Sequence, residues 1–139
     1  MPGAMTDEVL SLPVVFLVAV GSALGGMARY SLGVLIDRRH DGNWPAGTLT
    51  VNISGALLIG LVAAILSGSK DEPMLWALLV TGFLGSYTTV SAFSLQTLLL
   101  ARKGRPGLAL AHVGLSTAGC LVAAAIGLVM GNFMLERVA

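Results

Sequence analysis

The charged residues divide the sequence into four long uncharged stretches: Val9 to Ala28, Gly42 to Ser69, Pro73 to Ala101 and Pro106 to Leu135. A helix of roughly 20 apolar residues crosses the hydrocarbon core of a bilayer, which is about 30 Å thick. Short charged connections separate the stretches, as expected of loops at a lipid surface: DRRHDGNWP, SGSKDEP and RKGRPG. The sequence therefore predicts an all-α membrane protein with four transmembrane helices.

The composition supports the same class. Of the 139 residues, 55% are hydrophobic and only 11% are charged, against roughly 25% charged in soluble proteins. With spans expected at about 9–36, 44–67, 73–101 and 107–135, nearly the whole chain is used, so one transmembrane domain is predicted. A net charge of +1 offers no basic surface to nucleic acid, and a single cysteine excludes an internal disulfide.

The cations are distributed unevenly between the two ends of the predicted helices. One end carries five of them: Arg38, Arg39, Arg102, Lys103 and Arg105. The other end, which also holds both termini, carries Lys70 and Arg137. The positive-inside rule therefore predicts that the termini lie outside the cytoplasm.

The third stretch is interrupted at its centre by small and hydroxyl residues, in the segment TGFLGSYTTVSAFS at 81–94. So many glycine and hydroxyl residues near the middle of a span predict a break in the helix, and we expect an unwound segment from Gly82 to Ser91. Non-helical backbone at that depth is tolerated only where it is buried in protein or lines a cavity. Freed carbonyls bind cations, and freed amides at a half-helix N-terminus favour anions.

The spans contain almost none of the groups that enzymes or proton-driven transporters use. None of the seven Asp and Glu residues lies inside a predicted span, and His112 is the only histidine in one. An active site needs a nucleophile with a base, a carboxylate pair or a metal cluster, so no enzyme is expected. Small four-helix multidrug exporters rely on a Glu in the first helix, which this chain does not have.

Uncharged polar residues do recur at helical spacing within the spans. Thr48 and Asn52 are four residues apart, and so are His112 and Ser116, with Thr117 beside them. Donors without fixed charge can replace the water shell of an anion and still release it. The same pattern also fits a hydrogen-bond network between helices with no permeant ion, and both interpretations stay open on spacing alone.

Two further side chains have both a structural and a functional interpretation. Arg29 is either a snorkelling residue near a helix end or an anion-attracting one. Phe93 follows the predicted break, and the positive edge of its ring suits an anion, although a buried Phe ordinarily only packs.

Three segments, GGMARY (25–30), GTLTVNISG (47–55) and GFLGSYTTVSAFS (82–94), closely resemble the bacterial fluoride channels called Fluc or CrcB. The resemblance implies a passive fluoride-selective channel in the bacterial inner membrane that exports fluoride from the cytoplasm and relieves its toxicity. It also implies an antiparallel dual-topology dimer with two pores and one structural sodium ion. By motif position, the backbone carbonyls of Gly85 and Thr88 would bind that sodium.

The resemblance also assigns pore residues. Asn52 matches the family's pore asparagine with Thr48 a turn before it, Phe93 matches one of two phenylalanines, and His112 and Ser116 match the polar track of the fourth helix. Arg29 matches an arginine of the first helix.

Three positions depart from the family pattern: Val90, His112 and Cys120, the last of these at the end of the polar track. Val90 stands where the other phenylalanine would be, and His112 where tyrosine is common. Val90 and the uneven cations suggest a chain that pairs with a homologous subunit of opposite orientation, and a homodimer with a second copy stays open. Two alternatives stay open: a proton-coupled small exporter, and a non-conducting partner subunit of a heterodimeric channel.

Overall fold

The computed structural model describes residues 11–40, 44–67 and 73–138, and within these ranges every regular element is a helix. Helix α1 is Leu12–Asp37, α2 is Ala46–Ser67 and α4 is Pro106–Val138. The third helix is in two parts. Part α3a joins Pro73–Trp76, a π-helical segment Ala77–Leu84 and Gly85–Tyr87, and part α3b is Val90–Arg102.

Proline marks the start of each of the four helices. Pro73 and Pro106 are the first residues of α3a and α4, Pro13 is the second residue of α1, and Pro45 directly precedes α2. Proline suits these positions because the first amides of a helix have no intrahelical partner and the ring fixes a helical φ. The turn before α4 uses Gly104 at φ 73°, which a residue with a side chain rarely adopts.

The predicted break in the third helix is confirmed, but it is shorter than predicted. Gly82 and Gly85 are helical, and only Thr88 and Thr89 leave the helix, with ψ angles of 157° and 123°. Gly82 instead serves packing, since a Cβ on it would lie 2.8 Å from the carbonyl oxygen of Val18 in α1. The expectation of an unwound segment from Gly82 to Ser91 was wrong at both ends, because glycine density marked helix contacts as well as the break.

The helices pack mainly in two pairs: α2 lies along α4, and α1 lies against the π-helical segment of α3a. Backbone contact between α1 and α3a depends on Gly25, where a Cβ would overlap the carbonyl group of Phe83. Small residues of this kind allow close approach of helices in membranes.

A side chain of α1 caps the next helix. The carboxylate of Asp37 accepts a hydrogen bond from the Gly47 backbone N–H at 2.7 Å. An anionic group at a helix N-terminus satisfies an unpaired amide and complements the helix dipole. The two ends of the α1–α2 connection are thereby held together.

The outer surface of the bundle is apolar. Large hydrophobic side chains are exposed along most of α1 and α4, including Leu12, Phe16, Leu121 and Val129. All four helices are long and apolar enough to cross a membrane, counting α3a and α3b together. The chain is therefore an all-α, multi-pass membrane protein with a broken third helix.

Candidate anion pathway and cation site

The break in the third helix is closed by one side chain of α2. The Asn52 amide nitrogen donates to the Thr89 carbonyl at 2.9 Å, and the Thr89 backbone N–H donates to Asn52 Oδ1 at 2.8 Å. The carboxamide thus replaces the backbone partner that the Thr89 N–H loses at the break, and it gives a further donor to the Thr89 carbonyl at the N-cap of α3b. One N–H of Asn52 is not used in this pair, and it is the donor that a bound anion would need.

Contacts on the other side of the break come from the same region of α2. Ser54 Oγ and the Tyr87 hydroxyl are 2.9 Å apart, at the last helical residue before the break. Gly55 faces Thr88, and a Cβ there would overlap the Thr88 methyl group. Helix α2 therefore fixes the position of both ends of the break.

The same arrangement releases the two carbonyls that were predicted to bind sodium. In an unbroken helix the Gly85 carbonyl would accept from the Thr89 N–H, but that N–H donates to Asn52. Likewise, the Ala92 N–H donates to the Thr89 hydroxyl at 3.2 Å in place of the Thr88 carbonyl. Carbonyl oxygens freed at mid-membrane are suitable ligands for a hard cation, so Gly85 and Thr88 fit the predicted ion.

Among the described residues, the buried polar side chains are Thr48, His112 and Ser116, which are 8%, 0% and 6% exposed. All three were predicted as site residues from sequence. Thr117 was predicted with them, but its side chain is exposed on the outer side of α4. The structure therefore buries three of the four hydroxyl and imidazole groups in that prediction.

His112 lies in a pocket of aromatic and hydroxyl groups. Its ring is 5.2 Å from the Phe93 ring and 5.7 Å from the Trp44 ring, centroid to centroid, with Trp44 nearly perpendicular at 83°. Its Nδ1 atom is 3.0 Å from Thr97 Oγ1. Its Nε2 atom, like Ser116 Oγ one turn further along α4, is buried without a hydrogen-bond partner.

Arg29 contributes to a cavity at the end of the bundle where α1 ends and α2 begins. The cavity has a volume of about 160 Å³ and is lined by Arg29, Asp37, Thr48 and Thr89, among others. Its Arg29 Nε atom is buried without a hydrogen-bond partner. A cation beside Thr48 and the Asn52–Thr89 pair is placed to attract an anion toward these donors.

A second cavity of about 460 Å³ opens at the same end of the bundle. Its lining includes Asp37, Trp44, Gln96, Lys103 and Arg105. Its charged groups are two cations, Lys103 and Arg105, and one carboxylate, Asp37.

Phe93 and Val90 have different surroundings. Phe93 is half-buried against His112, whereas Val90 is 77% exposed on the outer side of α3b. An aromatic ring at position 90 would therefore also project from the chain's surface.

Sequence reasoning missed Trp44, Thr97 and Gln96. Trp44 lies outside any helix, so it belonged to no periodic pattern. Thr97 had a usable signal, because it follows Phe93 by one helical turn. Gln96 had a usable signal, because a carboxamide inside an apolar span has to be satisfied or functional. Its Oε1 atom is buried without a hydrogen-bond partner.

Comparison with known proteins gives a consistent result. Residues 16–128 match the family described as CrcB-like protein, Camphor Resistance (CrcB). The protein named Fluoride-specific ion channel FluC 2 of Bradyrhizobium diazoefficiens is 47% identical over 121 residues, which is 85% of this chain and 88% of that protein. A protein of the same name from Rhodopseudomonas palustris is 49% identical over 113 residues, 79% of this chain and 86% of its own. Fluoride-specific ion channel FluC of Acidobacterium capsulatum is 42% identical over 116 residues, 83% and 93% of the two chains.

Proposed function

The chain belongs to the CrcB family, and from this premise we propose that it is a passive fluoride-selective channel that exports fluoride from the cytoplasm. Relatives that are 42% to 49% identical over most of both chains are named as fluoride-specific ion channels. The protein is therefore a multi-pass channel of the bacterial membrane and not an enzyme.

The structural observation that best supports this function is the buried set Thr48, His112 and Ser116. These side chains offer hydrogen-bonding groups and no carboxylate, so an anion meets no fixed negative charge along them. Helix α2 contains no titratable residue at all. Export then needs only the membrane potential, which supplies about 2.3 kcal/mol per charge for each 100 mV when the inside is negative.

The proposed route starts near Arg29 and continues along hydrogen-bonding groups. Thr48 and the unused N–H of Asn52 come first, followed by the edge of Phe93 and then by His112 and Ser116 on α4. Thr117 belongs to the route only where a second chain covers the exposed side of α4. A path of neutral donors releases an anion readily, which favours conduction over tight binding.

A structural sodium ion is proposed at the break, bound by the carbonyls of Gly85 and Thr88. Support comes from the Asn52–Thr89 pair and the Ala92–Thr89 bond, which divert the amides that would otherwise occupy these carbonyls. Two carbonyls do not surround a hard cation, so a second chain would supply an equal set. When bound, the ion would supply a positive charge that attracts the carbonyls at the broken third helix of each of the two chains.

The channel is proposed to be an antiparallel dimer with a second copy or with a homologous subunit. The exposed Val90 favours the homologous subunit, because a chain that supplies the missing ring would complete the pore. Orientation mapping with cysteines introduced at Lys103 and Arg137 tests this version. One orientation, with Lys103 in the cytoplasm, is expected of the heterodimer; equal amounts of both would contradict it.

Two alternatives make different predictions. A proton-coupled exporter would concentrate fluoride against its gradient when a pH gradient is imposed, and would fail on His112→Ala. A non-conducting partner subunit, which the exposed Val90 favours, would give no flux alone but would restore flux with a homologous chain.

The deciding experiment is efflux from liposomes that contain this protein alone, followed with a fluoride electrode and with chloride efflux in parallel. Rapid fluoride release without chloride release is expected. Release of both ions would contradict selectivity. No release alone, followed by release with a homologous subunit, would assign the chain as a partner subunit, and silence in both would overturn the proposed function.

A further inference from the structure

The hydrogen bonds around His112 determine which of its ring nitrogens carries the proton. Thr97 Oγ1 is 2.8 Å from the Phe93 carbonyl oxygen and 3.0 Å from His112 Nδ1. Two oxygens 2.8 Å apart require a hydrogen between them, and a hydroxyl has only one. The Thr97 hydroxyl therefore donates to the carbonyl, and His112 Nδ1–H donates to Thr97.

This assignment leaves Nε2 of the neutral ring with a lone pair. That atom is buried and has no partner, and Ser116 Oγ one turn away is in the same condition. A lone pair repels an anion but accepts a hydrogen bond from water. Protonation of the ring turns Nε2 into a charged donor. The hydrogen bonds of a charged donor are shorter and roughly twice as strong as those of a neutral one.

We infer that the protonation of His112 at Nε2 controls whether fluoride passes this position, so that acidification on both sides of the membrane increases conduction. The inference rests on the proposed fluoride channel and adds a regulation to it. The proton stays on the imidazole or returns to water, so flux remains passive. Because linkage is reciprocal, fluoride at Ser116 and Nε2 also favours the protonated ring.

Few other ionisable groups approach His112 among the described residues. The contacts of its ring are with Trp44, Phe93 and Thr97, which carry no charge. Of the helices packed against α4, α2 has no titratable residue and α3b has only Arg102, at its last position. The other ionisable side chains in this part of the molecule are on α4 itself or around the cavity that Trp44 also lines. Those on α4 are Cys120, Glu136 and Arg137, and those around the cavity are Asp37, Lys103 and Arg105. The imidazole is the group in this set whose charge ordinarily changes between about pH 5 and 8.

The test is fluoride efflux from liposomes at equal internal and external pH, between about 5 and 8, the range in which histidine side chains change charge. Protein-free liposomes give the leak of neutral hydrogen fluoride, which is subtracted. The channel is expected to conduct roughly tenfold faster at the acidic end. His112→Gln should abolish this dependence, since its amide is uncharged throughout.

Three variants separate the inference from a general effect of acid. His40→Gln removes the other histidine, which is exposed and contacts the Ile36 carbonyl, and should leave the pH profile unchanged. Thr97→Val removes the acceptor that fixes the tautomer and should flatten the profile, whereas Thr97→Ser should keep it. Equal pH profiles for the native chain and His112→Gln would overturn the inference, while flux itself would still support the channel.

A second measurement needs no flux. Nitrogen-15 NMR of labelled histidine, with His40→Gln to leave one signal, reports which ring nitrogen is protonated. The neutral Nδ1–H form is expected at alkaline pH, with both nitrogens protonated in acid. A neutral Nε2–H form would overturn the inference even if the chain conducts nothing.

Discussion

Asn52 of α2 forms two hydrogen bonds with the backbone of Thr89, one to its carbonyl at 2.9 Å and one from its amide at 2.8 Å. The carboxamide supplies the donor and the acceptor that a neighbouring strand or helical turn would otherwise supply to the peptide backbone. The break in the third helix is thus a defined conformation with its own partner. Both the predicted anion donors and the predicted cation ligands depend on that partner.

Replacing Asn52 with Ala should destabilise the fold and abolish conduction. The Thr89 N–H would lose its partner in a part-buried position, at a cost of about 1–3 kcal/mol, and the Thr89 carbonyl would lose one of its donors. The expected result is a lower melting temperature in detergent and loss of fluoride efflux. The melting temperature is measured by size-exclusion chromatography of samples heated to a series of temperatures.

Asn52→Asp is the matched comparison, because it keeps an acceptor for the Thr89 amide but has no donor for the carbonyl. Its charge inside the span is also costly, so its melting temperature should likewise lie below that of the native chain. If Asn52→Ala melts like the native protein, the side chain does not hold the break.

Gly55→Ala should disturb the break from the opposite side of Thr88. The added Cβ would overlap the Thr88 methyl group and lie 3.2 Å from Tyr87 Cδ1. Overpacking of this kind typically costs about 1–3 kcal/mol, which is measurable by thermal unfolding in detergent. Gly107→Ala is the control, since no atom lies within 4 Å of its added Cβ. Equal losses at both positions would contradict a specific contact at the break.

Val90→Phe should increase fluoride efflux if the pore uses a second aromatic edge. The position is 77% exposed on its own chain, so the larger ring needs no rearrangement within the chain. An increase of about tenfold would correspond to about 1.4 kcal/mol of barrier. Val90→Leu adds volume without a ring and should not reproduce the increase; equal rates for both would show that size alone matters.

Sodium should stabilise the protein if the Gly85 and Thr88 carbonyls bind it. At a concentration 100 times the dissociation constant, a bound ion adds about 2.7 kcal/mol to the free energy of unfolding. Thermal unfolding in detergent with sodium, compared with N-methyl-glucamine at equal ionic strength, measures this. Identical melting temperatures in the two cations would remove the support for a sodium site.

Much of the fold could be predicted from sequence because charge is so costly inside a bilayer. The uncharged runs gave the number of helices, and prolines mark where α3a and α4 begin. Helix contacts were harder to separate from the break. Gly82 and Gly85 look alike in sequence, yet Gly82 packs against α1 and only the residues after Tyr87 leave the helix.

The site could be predicted only where its members share one helix. His112 and Ser116 follow from spacing, as do Thr48 and Asn52. The contact of His112 with Thr97 joins α4 to α3b, and its contact with Trp44 joins α4 to a connection. Such contacts depend on the rotation of each helix about its axis, and apolar residues on all sides of these helices leave that rotation undetermined in the sequence.

The Asp37–Gly47 bond has a consequence for the order in which the chain assembles during synthesis. It joins residues ten apart, so it can form once the first two helices have entered the bilayer. Thr89 emerges 22 residues after Ser67, the last residue of α2, which takes roughly 1–4 s at translation rates of about 5–20 residues per second. The hairpin of α1 and α2 can therefore act as a template, because Asn52 is already in the membrane when the broken third helix inserts and can bind Thr89 at once.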